Sequence, residues 1–250
     1  MKNIIRSYAD FDFHRTIGAL IQKHSENNQD IRDVTNNAIE WSRVHTILDL
    51  GCGYGWYEER LQGPFDYIMG IDCHPANEEA FLSITRTLAK KTDFISTYLP
   101  CPINVPEGYF DLVVSAYSLY FFPDMLPEVK RILNPQGVFL VITHSEAMLE
   151  EGEMFFQFKN LKKVIQNFSA ENGMALLQPW FPNTRAIDYY NSLVFRKDDK
   201  EDLERYIDFK REFIAKDADP ETVKNTMMRE LEQRGFLRFN KNDRIFLAGP

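Results

Sequence analysis

Residues 44–72 decide the fold: Val44-His45-Thr46-Ile47-Leu48-Asp49-Leu50-Gly51-Cys52-Gly53-Tyr54-Gly55-Trp56-Tyr57-Glu58-Glu59-Arg60-Leu61, closing at Gly70-Ile71-Asp72. Thr46 to Leu50 reads as a buried strand running into Gly51, Gly53 and Gly55. A helix is predicted from Trp56 to Leu61. Glu58 and Glu59 favour its first turn through the helix dipole, and Gly63-Pro64 stops it. A second apolar strand, Tyr67 to Ile71, then ends at the acid Asp72. Strand, glycine loop, helix, strand and acid make the plan of a nucleotide-binding α/β half-domain. The glycine spacing narrows it. Dinucleotide folds usually carry G-x-G-x-x-G, with a pyrophosphate on the helix N-terminus. Here the spacing is G-x-G-x-G, Asp49 precedes it by two residues, and the loop holds no Lys or Arg to meet a phosphate. A carboxylate at the strand end suits a ligand bearing an ammonium and hydroxyls better than one bearing phosphates.

Further along, alternation continues. Glu78 to Lys91 is predicted helical, and Thr92 to Tyr98 a short strand or its exit. Tyr109 to Ser115 is a continuous apolar run, as a central parallel strand should be. Asp124 to Leu133 reads as a helix, Asn134-Pro135-Gln136-Gly137 as a turn, and Val138 to Thr143 as another buried strand ending at His144. Such alternation implies a parallel sheet covered on both faces, with ligands at the carboxyl ends of its strands. Asp49 to Gly55, Asp72, the exit after residue 93, Ser115 to Tyr120 and His144 all fall on that edge.

These residues resemble the class I S-adenosylmethionine (SAM)-dependent methyltransferases over roughly residues 40 to 145. Ile47 to Gly55 is similar to the family's cofactor motif, and Gly70-Ile71-Asp72 to its ribose-binding acid. Leu99-Pro100-Cys101-Pro102 with Phe110 to Ser115 resembles the fourth strand and its approach. Ser118 to Asp124 resembles the loop that follows, and Arg131 to Gly137 the turn before the fifth strand. The resemblance implies an α/β fold with a seven-stranded, mostly parallel, Rossmann-like sheet and helices on both faces. It implies SAM as cofactor and S-adenosylhomocysteine (SAH) as product. It places Gly51, Cys52, Gly53, Tyr54 and Cys73 near the cofactor, with Tyr54 or Tyr57 covering it. Asp49 is expected to hold the amino group and Asp72 the ribose hydroxyls, through charge-assisted hydrogen bonds. Ser115 and the residues after it are expected beside the methionine tail.

One position departs from the family pattern. The acid that reads the adenine amino group would fall at Ile95, which cannot do so. Asp93 can, with Phe94 against the adenine ring; otherwise a backbone group serves.

Outside the resemblance, four regions are expected. Residues 1–45 form an N-terminal helical lid segment, 46–145 the SAM-binding core, 146–235 a helical substrate-side elaboration inserted before the last strands, and 236–250 a β-hairpin completing the sheet. In the elaboration, Leu149 to Phe168 and Asp199 to Lys216 read as helices, Leu176 to Phe195 as irregular, and Glu221 to Arg234 as a helix after Pro220, ended by Gly235. Methyl transfer from a sulfonium needs alignment and desolvation, and a base only if the acceptor must lose a proton. His144 is the first candidate base and His14 the second; Tyr8, Tyr117 and Tyr120 are candidate acceptor contacts.

Composition sets outer limits. A net charge of −8 argues against a nucleic-acid-binding surface. Cys52, Cys73 and Cys101, without a C-x-x-C, point to a reducing, cytoplasmic setting and no zinc site. No run is long and apolar enough to span a membrane. The expected activity is methyl transfer to an N or O atom of a small molecule. An RNA or protein methyltransferase and a non-catalytic SAM-binding partner subunit are the alternatives. The sequence gives no oligomeric state.

Overall fold

In strand β1 (Thr46–Leu50) every residue after the first is buried, because a strand lies on each side of it and helices cover both its faces. The structure, a computed structural model, describes residues 11–154, 159–210 and 219–250; side chains at 11, 12, 14, 153, 154, 159–161 and 220 are left aside. β1 pairs in parallel with β2 (Phe65–Asp72) and β4 (Phe110–Ala116). β2 pairs in parallel with β3 (Ala89–Ser96), and β4 with β5 (Leu133–His144). The full order is β3-β2-β1-β4-β5-β9-β6, with β9 (Asp243–Gly249) antiparallel to β5 and to the edge strand β6 (Asn183–Tyr189). This is the expected seven-stranded, mostly parallel Rossmann-like sheet.

Alternate residues serve opposite faces. Ile47, Ile68 and Leu112 join one apolar layer with Ile31 of α2 (Ile31–Asn36) and Phe81 of α3 (Glu78–Thr85). Leu48, Val113 and Phe139 join the other layer with Val129 of α4 (Leu126–Ile132). The second layer also takes in Ile17 and Leu20 of α1 (Phe11–His24), Val164 and Ile165 of α5 (Lys159–Ile165), and Leu177 of α6 (Gly173–Leu177). Leu203 of α7 (Lys200–Lys210) and Leu231 of α8 (Pro220–Arg234) complete it. α8 starts on Pro220 with Asp219 accepting from the Thr222 N–H, and ends at Gly235 with φ 83°. The chain leaves β1 toward β2 and β3 and returns to β4 on the other side. That reversal opens a crevice at the carboxyl ends of β1 and β4.

Several expected elements differ. The helix after the glycine loop is only one 3-10 turn, Glu58–Arg60. In an α-helix the Arg60 N–H would donate to the Trp56 carbonyl. That carbonyl instead accepts from Arg32 Nη1 at 2.6 Å, and the Arg60 N–H turns to the Tyr57 carbonyl. Glu78 to Lys91 is not one helix: α3 ends at Thr85, and β3 begins at Ala89 opposite Phe65. Within the helix expected from Leu149 to Phe168, the described residues form a 3-10 segment, Glu150–Met154, and α5. The stretch read as irregular holds β6 and β7 (Ser192–Arg196). β6 hides from hydropathy because it is a largely exposed edge strand. The terminal hairpin does not join the sheet as a unit. β9 enters it, whereas β8 (Phe236–Asn240) pairs with β7 in a separate two-stranded ribbon.

The ribbon and α7 fasten the N-terminal helix. His24 Nε2 lies 2.8 Å from Asp202 Oδ2, which also accepts from Lys23 Nζ at 2.7 Å, and His24 Nδ1 lies 3.1 Å from the Val194 carbonyl. Asp199 completes a His–Asp–Asp group here. With a lysine already on its central carboxylate, the group works as an ion-pair latch between α1 and α7.

Candidate active site

The crevice deepens into a cavity of about 940 Å³ between the strand ends, α1 and α7. Asp49, the glycine loop, Asp72 and Cys73 line one end; Tyr117, Tyr120 and His144 line the other.

At the first end the backbone turns sharply. Gly51 has φ 74°, and a Cβ there would lie 2.6 Å from Ser118 Cβ, so only glycine fits. Gly70, level with Asp49 on β2, is needed for closeness alone: a Cβ would fall 2.5 Å from the Phe81 ring and 2.7 Å from Cys52 Sγ. Asp72 clamps the loop from the end of β2. Its Oδ2 accepts from the Gly53 N–H at 3.0 Å. Its Oδ1 accepts from the His74 N–H at 2.8 Å and from Asn77 Nδ2 at 3.2 Å. Tyr54 is buried beneath α1, its hydroxyl 3.3 Å from where a Cβ on Gly18 would sit. The Tyr57 hydroxyl is turned to Thr35 and Asn36 of α2 instead.

Asp49 is 2% exposed, and its Oδ1 has no hydrogen-bond partner among the described residues. Glu58 next to it is fully buried, and neither of its carboxyl oxygens has one. Burial and the facing Glu58 push Asp49 well above the usual carboxylate range; burial raises Glu58 to about 7. This end of the cavity therefore presents carboxylates and backbone N–H groups. SAM brings a sulfonium, an ammonium and two ribose hydroxyls, and that donor set fits it: an orphaned buried carboxylate oxygen for a cation, and a half-buried acid at the strand end for a diol.

At the second end, Tyr117 adopts the left-handed backbone region, φ 57°, which costs energy for a residue with a side chain. Two contacts hold it there. Its ring stacks on His144 with centroids 4.6 Å apart, and its hydroxyl donates to Asp243 Oδ2 at 2.7 Å. Lys241 Nζ donates to the same oxygen at 2.5 Å. His144 Nδ1 faces Asp243 Oδ1 at 2.6 Å. Burial pushes Asp243 upward, but the Lys241 charge and the His144 contact overcome that and hold its carboxyl below the usual range. Burial, helped by Lys241, lowers His144 to about 4 against the pull of Asp243. Near neutrality the imidazole is thus uncharged. An ionised Asp243 takes the Nδ1–H, leaving the Nε2 lone pair free to take a proton. Tyr120 flanks the pair with its ring 6.1 Å from His144. Lys210 closes the wall from α7; burial and the Lys241 charge bring it down to about 7.

Three expected cofactor contacts lie elsewhere. Asp93 pairs with Met69, three residues short of the level of Asp72, and is taken up by the Tyr67 hydroxyl at 2.7 Å and Lys91 at 3.1 Å. Phe94 packs on Phe81 with ring centroids 5.8 Å apart. The part of that strand's exit lining the cavity is Thr97 to Leu99. Ser115 is fully buried beneath the cavity, its hydroxyl 2.6 Å from that of Ser118, which donates to the Leu50 carbonyl at 2.6 Å. Tyr8 and the side chain of His14 lie outside the described residues. Sequence reasoning missed Asp243, Lys241 and Lys210, and took Glu58 for a helix-dipole residue.

A methyltransferase-domain family model matches residues 48–141. The chain carries a class I SAM-dependent methyltransferase domain. This methyltransferase shares its fold with solved structures at low sequence identity. One is a protein of Anabaena variabilis provisionally described as a methyltransferase from an antibiotic biosynthesis pathway. It is 13% identical with a TM-score of 0.60, over 88% of this chain and 96% of that one. Another, from Bacillus halodurans and provisionally described as a methyltransferase, is 10% identical with a TM-score of 0.57, over 87% and 97%. The YcgJ protein of Bacillus subtilis is 17% identical with a TM-score of 0.53, over 87% and 97%. A curated relative, a protein of Levilactobacillus brevis described as phosphoglycerate kinase, is 27% identical over 92 residues, which are 36% of this chain and 23% of that protein. Among the described residues, no helix of the methyltransferase is long and apolar enough to cross a membrane.

Proposed function

We propose that this methyltransferase moves a methyl group from SAM to an oxygen or nitrogen of a small molecule, with His144 as the base that takes the acceptor's proton. The observation that carries the reading is the His144–Asp243 pair, set in the wall of the same cavity that holds Asp49 and Asp72. When bound, SAM supplies a methyl group already activated on a sulfonium. Asp72 receives the ribose hydroxyls while fixing the loop through the Gly53 N–H. Asp49 receives the ammonium group. Thr97 to Leu99 take the adenine side, where Asp93 does not reach.

At the other end, Tyr117 and Tyr120 form an aromatic wall that orients an acceptor and keeps water away. The His144 imidazole, neutral through burial, accepts the acceptor's proton at Nε2 as the new bond forms. Asp243 stabilises the resulting imidazolium through Nδ1. Proton transfer of this kind contributes about 10²- to 10⁴-fold in rate. The cavity volume and its closure by α1 and α7 favour a small molecule over a polymer.

The test is incubation of the protein with SAM and a metabolite extract, with SAH quantified and the methylated product identified by mass. A small-molecule product accompanying SAH supports the proposal. SAH formed only when RNA or protein is supplied, or no SAH with any fraction, rejects it.

A further inference from the structure

The cofactor end of the cavity holds one more acid than its motif requires. Asp49, at the end of β1, lines the cavity and is 2% exposed; Glu58 lies behind it on the 3-10 turn and is fully buried. Asp49 Oδ1 and both Glu58 carboxyl oxygens lack a hydrogen-bond partner among the described residues. The charged or titratable groups facing the pair are Asp72, Glu59, Cys52 and Tyr57. Cys52 and Tyr57 are both pushed upward by burial and stay protonated, while Asp72 and Glu59 add only negative charge. Two adjacent carboxyls in a dry interior, with no cation beside them among the described residues, cannot both ionise. They titrate as a pair.

We propose that Asp49 and Glu58 form a shared-proton receptor for the cofactor's ammonium group, in which Glu58 is a positioning residue acting through Asp49. The inference rests on reading Asp49 as the ammonium's partner. In the free protein the pair holds one proton. When the ammonium settles against Asp49, its charge replaces that proton. An O–H bond of the pair breaks and the proton leaves to solvent. No electrons are transferred. Burial raises both groups, Glu58 to about 7, and the facing Glu58 raises Asp49 further, which brings this exchange into the neutral range. Cofactor affinity therefore rises with pH below neutrality, by up to about tenfold per unit, and levels above it.

The test is calorimetric titration with SAH near neutral pH in two buffers of different ionisation heat, which counts protons. Methylthioadenosine, the same nucleoside thioether without the ammonium-bearing chain, is the control probe. The wild-type protein should release up to about one proton per SAH and none with methylthioadenosine. Glu58→Gln should bind SAH with no proton release and a flat pH dependence. SAH bound more tightly than methylthioadenosine but without proton release overturns the shared-proton receptor and leaves the Asp49 reading standing. SAH and methylthioadenosine bound equally at every pH removes the Asp49 reading itself. Equal proton release from wild type and Glu58→Gln also overturns the inference. Should that variant fail to fold, the two probes on wild-type protein decide the question alone.

Discussion

His144 and Asp243 are direct register partners across β5 and β9, 99 residues apart in sequence, with Nδ1 and Oδ1 2.6 Å apart. A parallel strand ends on His144, and the antiparallel strand beside it begins on the carboxylate that faces its Nδ1. Two ordinary features of this fold, the fifth strand and its antiparallel neighbour, thus set an imidazole and an orienting carboxylate side by side without any loop. Lys241 and the Tyr117 hydroxyl complete the set on Asp243 Oδ2, so the carboxylate is satisfied before any substrate arrives.

Asp243→Asn should lower kcat by at least about a hundredfold while leaving SAH affinity within a factor of about three. The amide can donate to Nδ1 and favour the wrong tautomer. The wild-type pH profile should also be unusual. Because His144 is lowered to about 4, its neutral form persists well below the ordinary histidine range. At saturating SAM, turnover per folded molecule should stay level from pH 8 to about 5. A steep loss between pH 7 and 6 would mean another group is the base.

Glu58 makes an opposite, measurable demand on stability. Its folded value is raised to about 7 from 4.5 by burial, so the unfolded chain ionises first as pH rises. Its contribution is fully present below about pH 4.5 and is lost as pH climbs through about 7. Glu58→Gln has no such loss. The melting temperature of the variant relative to wild type should therefore rise between pH 5 and 7.5, by the equivalent of at most about 3 kcal/mol. A difference that is constant with pH would mean that Glu58 is not buried as a titrating carboxyl.

Arg32 ties α2 to the glycine loop. Its guanidinium meets Asp30 at 2.7 Å and the Trp56 carbonyl at 2.6 Å, and lies 4.5 Å from the Trp56 ring centroid, while only 5% of the side chain is exposed. Arg32→Met takes the guanidinium from a mostly buried Asp30, leaving it only the longer Arg60 contact at 3.5 Å, and should cost about 3 kcal/mol. Arg43, in an exposed pair with Glu40, is the control, and Arg43→Met should cost under about 1 kcal/mol. Denaturant unfolding of the two variants checks this; equal losses would contradict the bracing role.

Asp93→Ala should leave SAH affinity within about twofold, since its carboxylate is engaged by Tyr67 and Lys91 outside the cavity. A tenfold loss in calorimetry would restore the adenine role that the strand register takes from it.

What the sequence disclosed tracks how local each feature is. β1, the glycine loop and Asp72 were legible because strand, turn and acid sit within thirty contiguous residues and make their own geometry. Asp243 was not, because Asn240-Lys241-Asn242-Asp243 has the composition of any turn, and only the β5–β9 pairing sets it beside His144. Asp93 was misread because it was taken as the acid near the expected position, Ile95, whereas the level of a residue on β3 is set by hydrogen bonds to β2: Ser96 stands opposite Asp72. The turn after the glycine loop was misread because Arg32, twenty-four residues away, captures a carbonyl that local propensity assigns to a helix. Edge strand β6 gave little hydropathic signal because its side chains are mostly solvated.

The most direct measurement sets SAH affinity and turnover side by side for Asp72→Ala and His144→Ala, on the acceptor identified by mass. A clean separation is expected. Asp72→Ala should weaken SAH binding by at least about tenfold, through loss of charge-assisted hydrogen bonds. His144→Ala should bind SAH like wild type and lose about a hundredfold or more in kcat. Unchanged affinity in Asp72→Ala, or full turnover in His144→Ala, would contradict a cavity divided between a cofactor end and a base.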